Sequence, residues 1–171
     1  MSLARQENSK TRRKIVELVL TEQCNLSCVY CYEHDKDVLK MPNDIAKKAI
    51  EEAFTDSSFN EVEIDFFGGE PFLAFNDMKE ICEWFWQQDW PKPYIVFAPT
   101  NGTLVHGDVR DWIYKNRERF FLGLSVDGTA SMHNLNRCNS FDKIDLDFFF
   151  IDLAESTSKN DHFSFDYRRV S

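Results

Sequence analysis

A chain of 171 residues is one domain's worth, and with 43% hydrophobic residues, including 16 Phe and 4 Trp, it can bury a core of packed layers. Its formal net charge of -9 repels phosphate backbones and anionic lipid surfaces, which excludes unassisted nucleic-acid or membrane binding, and no apolar run reaches the roughly 18 residues of a bilayer span. The 5 cysteines, an odd number in a chain without a secretory apolar segment, argue against a disulfide framework and for a reducing cytoplasm.

Residues 1–12 are polar and patternless and read as a disordered lead, with one domain expected over 13–171. Ile15-Val16-Glu17-Leu18-Val19-Leu20 predicts a strand buried on both faces, which delivers the chain into Thr21 and the cysteine-rich segment after it. Pro42 and Asn43 open a helix whose Ile45, Ala49, Ile50, Ala53 and Phe54 share one face. A second strand over Val62–Phe67 runs into Gly68-Gly69-Glu70-Pro71; Phe75, Met78, Ile81, Cys82 and Phe85 then keep a helical period until Trp90-Pro91-Lys92-Pro93 breaks it.

A third strand over Tyr94–Ala98 leads to Thr100-Asn101-Gly102, and Val109, Trp112, Ile113 and Asn116 form a short helix face behind Asp108. The fourth strand, Phe120–Val126, ends in Asp127-Gly128. Residues 129–139 read as a polar loop, Ser140 as the cap of a helix with Phe141, Ile144, Phe148 and Ile151 on one face, and Phe163, Phe165 and Tyr167 as the alternation of a half-buried fifth strand. Strands alternating with helices imply parallel units, so the expected class is α/β: an open, partial TIM-like barrel of about five parallel strands, with the motif-bearing turns at the strands' carboxyl ends.

Three cysteines, Cys24, Cys28 and Cys31, fall within one short segment. The spacing C-x3-C-x2-C lets a single loop wrap a small inorganic cube and present thiolates to three of its corners. On spacing alone a closed zinc site stays open too, because His34 follows Cys31 at a distance that would supply a fourth tetrahedral ligand. Cys82 lies on an apolar helical stripe and reads as a small core hydrophobe, whereas Cys138 has no legible role. Read by themselves, Gly68-Gly69 is a strand-to-helix turn that admits close approach to main chain, Asn101 and Ser125 are turn formers, Tyr30 is a rim aromatic, and Arg137 is a loop cation suited to a carboxylate.

Taken together and in order, the cysteine segment with Tyr30 before its last cysteine, Gly68-Gly69-Glu70-Pro71, Thr100-Asn101-Gly102 and Ser125-Val126-Asp127-Gly128 resemble the radical S-adenosylmethionine (SAM) superfamily, in the SPASM-type branch of sulfatase maturases and peptide-modifying enzymes. The resemblance implies a [4Fe-4S] cluster held by Cys24, Cys28 and Cys31, with SAM chelated at the open iron and cleaved reductively to a 5'-deoxyadenosyl radical. It places Gly68 and Gly69 at the SAM amino group with Glu70 fixing their turn, Tyr30 near the adenine, Asn101 and Ser125 along the ribose and methionine, and Arg137, behind His133, at the methionine carboxylate. It further implies a peptide or protein substrate and an external electron donor of the flavodoxin or ferredoxin type. That branch continues beyond the length seen here, so the chain reads as truncated, with an exposed edge at Phe163–Arg169 that invites self-association; a catalytically inactive remnant and a zinc-stabilised interaction module are the other readings.

Overall fold

The computed structural model describes residues 11–33 and 36–153; the expected fifth strand and its edge lie outside them, as do His34 and the first ten residues. Within the described residues the chain alternates β1 (Arg13–Thr21), α1 (Asn43–Thr55), β2 (Glu61–Gly68), α2 (Phe75–Phe85), β3 (Tyr94–Thr100), α3 (Gly107–Asn116), β4 (Phe121–Leu124) and α4 (Ala130–Asn136). The four strands form one sheet in sequence order, and every neighbouring pair is parallel. Parallel pairing forces all four strand exits to the same edge of the sheet, and this is the edge on which the motif turns follow. This is the expected partial α/β barrel, seen over four strands.

The core lies between the sheet and α1 to α3. Val16, Leu18 and Leu20, Val62, Ile64 and Phe66, and Val96 and Ala98 face Ala46, Ile50 and Phe54 of α1, Met78, Ile81, Cys82 and Phe85 of α2, and Ile113 of α3, all of them buried. Cys82 is buried, as a core hydrophobe should be. Trp90, just past the break in the helical period, stacks on Phe85 with ring centroids 5.0 Å apart and lies 4.3 Å from Phe54. No helix among the described residues is long and apolar enough to cross a membrane.

Four sequence expectations need correction. β1 is buried on one face only: Val16, Leu18 and Leu20 are covered, while Ile15 and Val19 are 50% and 37% exposed. Helices α1 to α3 pack on one side of the sheet, so a continuous apolar run here serves two different surroundings. In α1 the inward residue is Ala46 rather than Ile45, which is exposed. The segment 129–139 is not a loop, since Thr129 accepts a hydrogen bond from the Met132 amide and opens α4; the long helix expected after Ser140 is instead a 3-10 turn at Phe141–Lys143 and a π-helical turn at Phe148–Asp152. Ser140 is unavailable as a cap because His133 holds its hydroxyl at 2.9 Å, and Asn134 already takes the Phe141 amide.

On the sheet face opposite the helices, Asp65 stands level with Glu17 on β1 and Phe97 on β3. Burial, then the charge and hydrogen bond of Glu63 and the charge of Glu17, push its carboxyl up to about 7, with Arg13 opposing. A carboxyl raised in the fold binds its proton more tightly there than in the unfolded chain, so its ionisation destabilises as pH climbs from about 4 through about 7. Asp65→Asn is therefore expected to stabilise the protein by about 1–2 kcal/mol above that range, a figure discounted for the group's partial solvation, with the gain shrinking as pH falls. Denaturant titrations of both proteins across this range check it, and a gain independent of pH would rule the buried charge out as its cause.

Candidate functional site

The cysteine loop leaves β1 at Thr21 and is closed at its neck by the returning chain: Thr21 bridges Lys40, the Met41 amide donates to Leu20 O at 3.1 Å, and the Glu22 amide to Leu39 O at 3.4 Å. Cys24, Cys28 and Cys31 all lie on this loop, each partly exposed and each a free thiol. The Leu26 amide donates to Cys24 Sγ at 3.4 Å, the Cys31 thiol donates to Glu33 O at 3.5 Å, and the Cys31 amide closes a turn onto Cys28 O at 3.1 Å. Burial pushes the Cys28 thiol up; the Arg137 guanidinium opposes this, and the thiols of Cys24, Cys138 and Cys31 add to it. Among the described residues no three His, Cys, Asp or Glu side chains converge tightly enough for a single metal ion.

The first half of the loop is locked to the turns after β2 and β3. The Gly69 amide donates to Thr21 O at 3.1 Å and the Glu70 amide to Gln23 O at 2.9 Å. A Cβ on Gly68, whose φ is +136°, would lie 2.0 Å from Thr21 O, and one on Gly69 would lie 2.5 Å from Gln23 O. Glycine is needed here for backbone against backbone. Glu70 is buried behind this turn, where its carboxylate accepts from the Phe72 amide (3.2 Å), the Thr100 hydroxyl (2.8 Å) and the Asn101 amide (2.8 Å). Burial pushes its pKa upward against those three donors.

Asn101 extends the lock. Its side chain donates to Asn25 Oδ1 at 2.9 Å and accepts from both the Thr103 amide and hydroxyl, while Asn25 Nδ2 donates to Thr103 Oγ1 at 2.7 Å. Asn101 is thereby occupied in holding the loop. Asn25 and Thr103, which sequence reading passed over, are its partners, and only Asn25's place between two of the cysteines hinted at it.

The second half of the loop is held by the segment after β4. The Val29 amide donates to Asn136 O at 2.9 Å, and the Cys138 thiol to Ser27 O at 3.0 Å. Asp127 is the hub: it receives the Tyr30 hydroxyl at 2.7 Å, Arg137 Nε at 3.0 Å and Asn136 Nδ2 at 3.2 Å. Burial works against its ionisation, yet the hydrogen bonds from Tyr30 and Arg137, the guanidinium charge and the Asn136 amide outweigh it and hold the carboxyl below the usual carboxylate range. The same surroundings, burial first and the bond to Asp127 next, push the Tyr30 phenol up to about 12.

His133 is fully buried, with Nδ1 accepting from the Asp127 amide at 3.4 Å and Nε2 facing Ser140 Oγ at 2.9 Å. Burial, aided by Arg137, lowers its pKa, so it is a neutral structural pin. Ser125 donates its amide to Thr100 O at 2.9 Å, and its hydroxyl makes no hydrogen bond among the described residues.

The structure thus gathers Cys24, Cys28, Cys31, Tyr30, Gly68, Gly69, Glu70, Asn101, Ser125 and Arg137 at one edge of the sheet. Residues 13–140 match the family described as a 4Fe-4S single cluster domain. The chain belongs to that family, in the sulfatase-maturase-like branch of the radical SAM superfamily.

Membership decides between the cluster and the zinc knuckle. The chain is 33% identical over 112 residues to an uncharacterized protein of Methanocaldococcus jannaschii, covering 65% of this chain and 37% of that one. It is 28% identical to the cysteine-type anaerobic sulfatase-maturating enzyme of Clostridium perfringens, covering 67% and 32%. Among solved structures, native anSMEcpe with bound AdoMet and Cp18Cys peptide superposes with a TM-score of 0.65 at 25% identity, covering 87% of this chain and 40% of that one. The chain spans about a third of the length of the curated relatives it matches.

Proposed function

We propose that this chain is the cofactor-binding part of a radical SAM enzyme that modifies a peptide or protein side chain, with Cys24, Cys28 and Cys31 holding a [4Fe-4S] cluster and SAM seated beside it. One observation carries the reading: three partly exposed thiols on one loop, each half of which is fixed to the turns that end the other three strands. When bound, the two cofactors supply one-electron cleavage of the sulfonium and a radical able to abstract hydrogen from an unactivated carbon.

The chain's own residues bind and orient. The Gly69 and Glu70 amides are committed to the loop, so an ammonium at this turn is received by carbonyl oxygens. The Ser125 hydroxyl is available to a carboxylate or ribose, and Arg137 supplies the cation a carboxylate requires. Tyr30 presents an aromatic surface beside the thiols for a planar base. Electrons come from an external donor of the flavodoxin or ferredoxin type, and 5 free cysteines suit a reducing cytoplasm.

The peptide assignment is supported by the likeness to the sulfatase maturase and to the peptide-bound neighbour. Anaerobic reconstitution with iron and sulfide, followed by reduction in the presence of SAM, is expected to give a brown protein that forms 5'-deoxyadenosine. A protein that stays colourless and binds zinc instead overturns the cluster, while one that takes up the cluster and leaves SAM intact under reduction is the inactive remnant.

A further inference from the structure

Arg137 is held on three sides. Its amide closes α4 by donating to His133 O at 2.7 Å, its Nε donates to Asp127 Oδ1 at 3.0 Å, and its guanidinium carbon lies 5.3 Å from the centroid of the Tyr30 ring. Asp127 grips only the inner edge of the guanidinium. The outer edge, formed by the two terminal nitrogens, makes no hydrogen bond among the described residues, and this is the edge that pairs bidentately with a carboxylate. The same Asp127 carboxylate takes the Tyr30 hydroxyl from the cysteine loop and the Asn136 amide from α4, so a single group sets the guanidinium against the loop that carries Cys28 and Cys31.

We propose that Asp127 is a positioning residue for SAM: by fixing Arg137 through Nε, it aims the free outer edge of the guanidinium at the methionine carboxylate of SAM bound beside Cys28. The inference rests on the SAM-binding reading above. It differs from a plain structural role, because a residue acting through Arg137 has nothing left to do once Arg137 cannot make the bidentate contact. A side chain that merely stiffens the fold affects cluster loading and leaves no trace that depends on Arg137.

The test is a titration of the reduced, cluster-loaded protein with SAM, followed by the change in the cluster's electron paramagnetic resonance spectrum, in wild type, Asp127→Ala, Asp127→Asn, Arg137→Lys and the Asp127→Asn/Arg137→Lys pair. Asp127→Ala is expected to raise the half-saturating SAM concentration about ten- to hundredfold, the size of a lost charge-assisted hydrogen bond, and Asp127→Asn, which keeps an acceptor for Nε, to recover part of it. In the Arg137→Lys background Asp127→Asn is expected to add nothing. Iron content, measured for each variant, separates loss of the cluster from loss of SAM; should the alanine variant fail to load, the asparagine pair carries the comparison. Equal SAM affinities in wild type and both Asp127 variants, or Asp127 and Arg137 effects that add independently, overturn the inference alone. A loaded wild type whose spectrum ignores SAM overturns it together with the reading beneath it.

Discussion

Alanine at any one of Cys24, Cys28 or Cys31 is expected to leave the protein colourless after anaerobic reconstitution, with bound iron falling to the background of an unreconstituted sample. Two thiolates cannot hold a cube that already leaves one iron to an exogenous ligand, and cluster binding is coupled to deprotonation of every ligand. The folding cost of these changes is small, because the thiols are partly exposed and their contacts are long, at 3.4 Å from the Leu26 amide to Cys24 Sγ and 3.5 Å from Cys31 Sγ to Glu33 O. Each variant is expected within about 1 kcal/mol of the parent by denaturation of the metal-free chains.

The two remaining cysteines give the contrast. Cys82 is buried in α2, so Cys82→Ala is expected to cost about 1–2 kcal/mol and leave iron uptake unchanged. Cys138 meets the loop through Ser27 O, and Cys138→Ala is expected to keep full iron content. Iron and sulfide analysis on the five single variants decides it: wild-type iron in Cys28→Ala, or loss of iron in Cys138→Ala, would replace this ligand set.

The cysteine spacing, the two adjacent glycines and the alternation of apolar strands with helices were legible because each is a local pattern with a local cause. What was illegible depends on partners distant in sequence. α4 has its apolar Met132 and Leu135 exposed and a histidine as its buried residue, so its periodicity points the wrong way until the site that buries His133 is known. Ser140 looks like a helix cap because Ser usually is one, and only the approach of His133 shows its hydroxyl to be engaged. Asp127-Gly128 reads as a turn dipeptide, yet its carboxylate joins Tyr30, 97 residues earlier, to Arg137, ten residues later. Such hubs have no signature along the chain; each partner alone has an ordinary explanation.

The largest structural effect is expected from Gly68→Ala. The substituent would sit 2.0 Å from Thr21 O at a φ of +136°, a position that no rotamer can relieve because both the obstacle and the strain belong to backbone. The expected cost is about 3–5 kcal/mol, which reaches well into the total stability of an ordinary domain. Gly69→Ala, whose Cβ would meet Gln23 O at 2.5 Å and Glu22 O at 2.6 Å, is expected to cost about 2–4 kcal/mol for the same reason without the disfavoured φ.

Both changes act where the turn after β2 lies on the cysteine loop, so the cheaper response is for the loop to lift away while the helices and sheet stay packed. Glu70→Gln tests the same joint from the other side. The carboxylate accepts from three donors, and an amide must turn its own N–H groups toward the Asn101 amide or toward Thr100 and Phe72, at a cost of about 2–4 kcal/mol. Hydrogen exchange distinguishes loop release from global unfolding: in Gly68→Ala the Gly69 and Glu70 amides, which donate to Thr21 O and Gln23 O, should lose protection while those inside α2 keep theirs. Protection lost equally in the turn and in α2 would mean that the joint holds up the whole fold, and unchanged protection at Gly69 and Glu70 would mean that the loop does not depend on the glycines at all.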